Sequence, residues 1–203
     1  QKIIKESKLL IYECEGEESE IKQWFKTINI AGAKLTNQEL RNAVYSGPWV
    51  ADAKIYFSKR ECVAHNIGRD YLRGSAIRQE YLETVIKWIS GKKKINDIDV
   101  REYMAGDQYD PNASALWRYF QDIISWIEAT FTKKRVKLMK GVDWGILYNK
   151  FKDEVYNTDK IEEEIKELIL DEDVTKKRGI YPYVLTRDEK HLSIRAFPEA
   201  IKQ

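Results

Sequence analysis

Five cations stand within eight residues at Lys133, Lys134, Arg135, Lys137 and Lys140, directly ahead of Gly141. Cations at that density neutralise phosphates, and nucleic acid is the polymer that presents phosphates in rows. Lys92, Lys93 and Lys94 after Gly91, and the set Arg69, Arg73 and Arg78, offer the same chemistry if the fold gathers them on one face. The plain alternative is a helix C-terminus whose dipole attracts cations, with solvated lysines beyond it. Five cations exceed what a cap needs, and both readings stay open on sequence alone.

Other chemistries are less complete. Cys62-Val63-Ala64-His65 spaces two soft metal ligands plausibly, but Cys14 and His191 are remote and no second half-motif exists. A buried thiol and a hydrogen-bonded imidazole account for the pair better. Between positions 153 and 173 lie ten acids, a possible Mg²⁺ or acid-base set, opposed to the apolar Ile161, Ile165 and Leu168. That arrangement reads as a solvated helix face. Asp188, His191 and Ser193 crowd one short segment, where triad geometry is seldom reached. The sequence holds no P-loop, G-x-G-x-x-G or H-E-x-x-H pattern.

The elements that must position these groups are mostly helices. Over 24–43, Trp24, Phe25 and Ile28 continue a helical stripe begun at Ile21, Gly32 breaks it, and Thr36 with Glu39 spells a capping box. Asn29, Lys34 and Arg41 are the polar residues left there for chemistry. Pro48 suits the first turn of a helix carrying Trp49, Val50, Ala53, Tyr56 and Phe57. Ser75 is placed to cap a helix over 76–89, with Ile77, Tyr81, Leu82, Val85, Trp88 and Ile89 on one stripe and Gly91 at its end. A short helix over 98–104 closes at Gly106, and Asp110-Pro111-Asn112 opens the longest, over 113–131. Further apolar stripes run over 142–155 and 161–170, and Tyr181-Pro182-Tyr183 reads as a turn.

Residues 8–15 alternate as a strand buried on both faces. The fold class is therefore mainly α, an irregular helical bundle with a minor β element near the N-terminus. The 6 Trp and 12 Tyr fall at helical spacings and read as packing, not as a base-stacking platform.

With 35 Lys plus Arg against 33 Asp plus Glu, the net charge is +2, so any charge argument must be local. At 203 residues and 43% hydrophobic content the chain can bury a real core. No apolar run approaches the roughly 20 residues that span a bilayer, and no signal-peptide pattern opens the chain. Two distant cysteines and no secretory signal point to a cytoplasmic protein.

The run from Phe25 to Ala43 resembles the closing motif of the ParB-like N-terminal domain of GmrSD-type restriction proteins. Later segments resemble the linking region of a subgroup that ends in an HNH nuclease: Tyr45-Ser46-Gly47-Pro48-Trp49, Arg78-Gln79-Glu80-Tyr81-Leu82-Glu83-Thr84, Met139-Lys140-Gly141-Val142-Asp143-Trp144-Gly145 and Lys190-His191-Leu192-Ser193-Ile194-Arg195-Ala196-Phe197. The resemblance implies that residues 1–46 close a ParB-like domain and 47–203 form a helical linking domain ahead of an HNH domain. The family's Asp-Gly-Gln-Gln-Arg nucleotide motif is not present in this sequence. Of the family pattern, Asn29 and Gly32 would line a nucleotide- or DNA-facing pocket and Arg41 would touch phosphate. Equally, Asn29 fits a plain helix cap and Arg41 a surface position.

The expectation is thus a non-catalytic helical piece of an anti-phage defence endonuclease, contacting DNA or relaying sensing to the cutting domain. Cofactors, a nucleotide and a divalent metal, would belong to the parent and not to this chain. Expected partners are DNA and the ParB-like and HNH domains, with oligomers allowed and no membrane. The alternative is a protein-protein or oligomerisation scaffold without nucleic-acid binding, anchored by aromatics such as Trp49 and Trp117.

Overall fold

Apolar stripes at helical spacing bury themselves by stacking helix on helix, and among the described residues ten α-helices do so. The computed structural model describes residues 17, 19, 20, 23, 35–91 and 97–194. In order, the helices are α1 Asn37–Val44, α2 Pro48–Phe57, α3 Val63–Gly68, α4 Glu80–Ile89 and α5 Asp97–Asp107. There follow α6 Ser114–Thr130, α7 Val136–Met139, α8 Trp144–Phe151, α9 Thr158–Leu170 and α10 Ile180–Thr186, with 3-10 turns at Lys177–Gly179 and Glu189–His191. The expected strand over 8–15 lies outside the described residues. Among them the sole β pairing is an isolated antiparallel bridge between Val174 and Ile194.

The longest helix is also the central one. α6 packs against α2, α3, α4 and α8. Its Leu116, Phe120, Ile123 and Ile127 are fully buried, each contributing about 1.5–3 kcal/mol relative to exposure. Aromatic rings fill the space between helices, as the spacing predicts. Trp49, Trp88 and Trp144 are buried, Tyr56 stacks on Trp117 at 5.2 Å, and Phe131, Trp144 and Tyr181 meet pairwise within 5.5 Å.

Local signals set the helix ends. Thr36 Oγ1 accepts the Glu39 N–H at 3.2 Å while the Glu39 carboxylate accepts the Thr36 N–H at 2.6 Å, the capping box legible in the sequence. Pro48 occupies the first turn of α2, where its missing N–H costs nothing. Gly91, at φ +73°, terminates α4 as expected.

Four boundaries differ from expectation. α4 begins at Glu80, not at 76, because Gln79 is left-handed at φ 65° and the Glu80 carboxylate folds back onto the Ser75 N–H. Ile77 consequently points outward, 54% exposed. α5 runs through Gly106, whose surroundings are open and whose φ is not left-handed. The stripe over 142–155 ends at Phe151, leaving Val155 99% exposed. Tyr181-Pro182-Tyr183 is helical, with Pro182 in the first turn of α10 where a proline is tolerated.

Candidate nucleic-acid interface

The basic segment folds into the four-residue helix α7 followed by a tight turn. Gly141 takes φ +85°, its N–H donates to the Tyr71 carbonyl at 2.7 Å, and the Arg73 side chain lies across the space a Cβ would fill. The Trp144 indole then donates to the Met139 carbonyl at 3.0 Å, locking the turn onto the core. α7 packs beside the 3-10 turn Lys177–Gly179. Two basic segments separated by the whole of α8 and α9 are thereby neighbours.

The five cations are not equivalent. Arg135 grips Glu162 with both terminal nitrogens, and Lys133 stands 3.9 Å from the same carboxylate. Lys134 bridges Asp70 at 3.2 Å and Glu128 at 3.5 Å and lies over the Tyr71 ring. Lys137 is exposed, Lys140 is half-buried, and neither forms an ion pair among the described residues. Hydrogen bonding from Arg135 is the main cause that draws the Glu162 carboxyl below its ordinary range. At Lys134 burial works downward, but the Asp70 and Tyr71 contacts outweigh it and the ammonium holds its proton more tightly. The expected solvated acidic face on α9 is thus corrected at one position: Glu162 is 7% exposed and bound to Arg135.

Beyond Gly141 the turn opens into a groove of about 470 Å³ between α8, α10 and the two 3-10 turns. Lys150 reaches it from α8, Lys176 and Arg178 from the segment after α9, and His191 from the last turn. None of these forms an ion pair among the described residues, although Asp143 and Asp188 also line the groove. Arg178 Nε is enclosed and has no hydrogen-bond partner among the described residues. Sequence reasoning misses Lys150, Lys176 and Arg178. The run Lys176-Lys177-Arg178 is the available signal, though Lys177 turns away to cap α9 through the Leu168 and Asp171 carbonyls.

Arg41 serves a different purpose from the groove cations. It is 6% exposed, donates to Gln38 at 2.8 Å and Glu83 at 3.1 Å, and meets Asp97 through two nitrogens. Its guanidinium joins α1 to α4 and α5. Burial tends to raise the Asp97 carboxyl, but Arg41 and Arg101 together pull it below its usual value. Asn29, Gly32 and Lys92 to Lys94 lie outside the described residues.

The remaining constellations do not assemble. Among the described residues Cys62 is a buried free thiol, while His65 Nδ1 is enclosed without a hydrogen-bond partner, unlike the satisfied imidazole expected. Among the described residues no three His, Cys, Asp or Glu side chains are grouped to hold a metal. The Asp188 carboxylate accepts the Lys190 N–H at 3.1 Å, and among the described residues no hydrogen bond links it to the side chain of His191 or Ser193. Of the aromatic anchors of the scaffold reading, Trp49 is 2% exposed and buried in the core, while Trp117 is half-buried and stacked on Tyr56. Among the described residues no helix is long and apolar enough to cross a membrane.

No protein-family model, curated protein or solved structure matches the chain. The likeness to GmrSD-type proteins rests on sequence motifs alone.

Proposed function

We propose that this chain is the helical linking body of a DNA-targeting GmrSD-type HNH endonuclease, holding the nucleic-acid backbone and relaying its engagement to a cutting domain. One observation carries the reading: α7 and its turn, which carry Lys137 and Lys140, lead through Gly141 into a groove lined by Lys150, Lys176 and Arg178, and none of these five cations forms an ion pair among the described residues. Those cations outnumber the groove's two carboxylates, Asp143 and Asp188, and in a chain of net charge +2 such a local excess is the footprint expected of phosphate contact. Nucleotide turnover, divalent metal and strand cleavage belong, in this reading, to the ParB-like and HNH domains of the parent.

The test is a salt titration of binding to duplex DNA, followed by fluorescence anisotropy. Log affinity should fall linearly with log salt concentration, and Lys137→Glu combined with Lys140→Glu should reduce the slope by about 0.9 for each phosphate no longer neutralised. Lys134→Glu should cost stability more than DNA affinity, because Lys134 is bound to Asp70 and Glu128. Absence of salt-dependent binding at low ionic strength would refute the proposal.

A further inference from the structure

The groove holds more than phosphate contact requires. A duplex offers phosphates and sugars on its outside and keeps its bases stacked, so surface cations suffice to bind it. Here the cations surround an apolar floor. Val142, Leu147 and Phe151 are 5–7% exposed, and half-buried Ile146 and Pro182 complete the lining. A volume of about 470 Å³ matches a site for one small ligand and not a flat track along a helix.

Two polar features sharpen the class of occupant. Arg178 lines the groove half-buried and forms no ion pair among the described residues, so the exposed part of its guanidinium can donate to an anionic oxygen. Asp143 and Asp188 in the same groove would repel a second phosphate but accept hydrogen bonds from amino or imino groups. One anion, one flat apolar body and exocyclic donors together describe a single nucleotide.

Resting on the DNA-binding function proposed for the chain, we infer that this groove takes an unpaired nucleotide at a strand end, its base on the Ile146 and Pro182 side and its phosphate on Arg178. The duplex continuing from that nucleotide would run past Lys140 and Lys137. Unstacked bases gain most where a nonpolar surface and a cation are offered together, which is the general chemistry of single-strand sites.

Three fluorescent probes test it on the full chain: a blunt duplex, the same duplex with a short single-stranded overhang, and a nucleoside monophosphate. The overhang should bind about ten-fold tighter than the blunt end, the gain expected from seating one base. Arg178→Gln and, separately, Ile146→Asp should each remove that preference, with melting curves checking that the variants remain folded. Arg178 is only half-buried, so its variant carries the test if Ile146→Asp unfolds. Equal affinity for blunt and overhanging duplex overturns the inference and leaves the backbone-binding reading standing. Failure to bind either duplex overturns both. A monophosphate that binds as tightly as the overhang also overturns it, since the ligand would then be a free nucleotide.

Discussion

Glycine inside a helix is ordinarily a weakness that alanine repairs, by about 1 kcal/mol. Gly145, in the first turn of α8, should behave oppositely. A Cβ built there would lie 2.5 Å from Trp88 Cδ2 and closer still to Trp88 Cβ and Cγ. Trp88 is 3% exposed and its carbonyl accepts the Asn149 side-chain N–H at 2.8 Å, so neither partner can step aside without parting α4 from α8. Overpacking a closed core costs about 1–3 kcal/mol. Three carbons in collision place Gly145→Ala at the upper end, and the propensity gain of about 1 kcal/mol leaves a net loss of about 2 kcal/mol. Gly106→Ala is the control: it lies in α5, is exposed, and has nothing within 4 Å of the new methyl group. There the gain should appear undiminished, at about 0.5–1 kcal/mol. Urea unfolding at 25 °C reads both, and a roughly 2 kcal/mol loss should also lower the melting temperature by about 4–8 °C. If Gly145→Ala matches or exceeds the parent in stability, α4 and α8 are not in the close register that Trp88 and Gly145 define.

Arg41→Ala should cost about 2–3 kcal/mol in the same urea assay by leaving Glu83 and Asp97 without their shared cation, and Arg41→Lys should recover little because the fork geometry is lost. The lowered carboxyls of Glu162 and Asp97 give stability that is complete above the ordinary carboxylate range and drains away as pH falls through it. Glu162→Gln should therefore lose about 2 kcal/mol near neutral pH and show a flatter acid limb in stability measured against pH. At the other extreme, burial pushes the Tyr71 and Tyr81 hydroxyls up to about 12, Glu128 adding to the effect at Tyr71. Stability from these neutral phenols should persist below about pH 10 and fade as pH climbs toward 12, and ultraviolet titration should show late-ionising tyrosines whose number drops in Tyr71→Phe.

What the sequence discloses is whatever lies within a few residues or repeats with a helix's period. The capping box at Thr36 and Glu39, the proline opening α2 and the apolar stripe of α6 are all local, and each is found where expected. Partnerships across long separations are not visible in that way. Arg135 meets Glu162 at a distance of 27 positions, and Arg41 meets Glu83 and Asp97 at 42 and 56, so cations with the look of surface residues are consumed internally. The groove is illegible for the same reason. Its cations come from segments on either side of α9, and only the fold sets them beside the Gly141 turn. The true start of α4 is hidden for another cause, since a left-handed Gln79 carries no compositional mark.

Arg41 ties α1 to two helices that come later in the chain, α4 through Glu83 and α5 through Asp97. α4 in turn meets α8 where Trp88 lies against Gly145, and α8 walls the groove. One unbroken line of side-chain contacts therefore joins the first described helix to the wall of the groove.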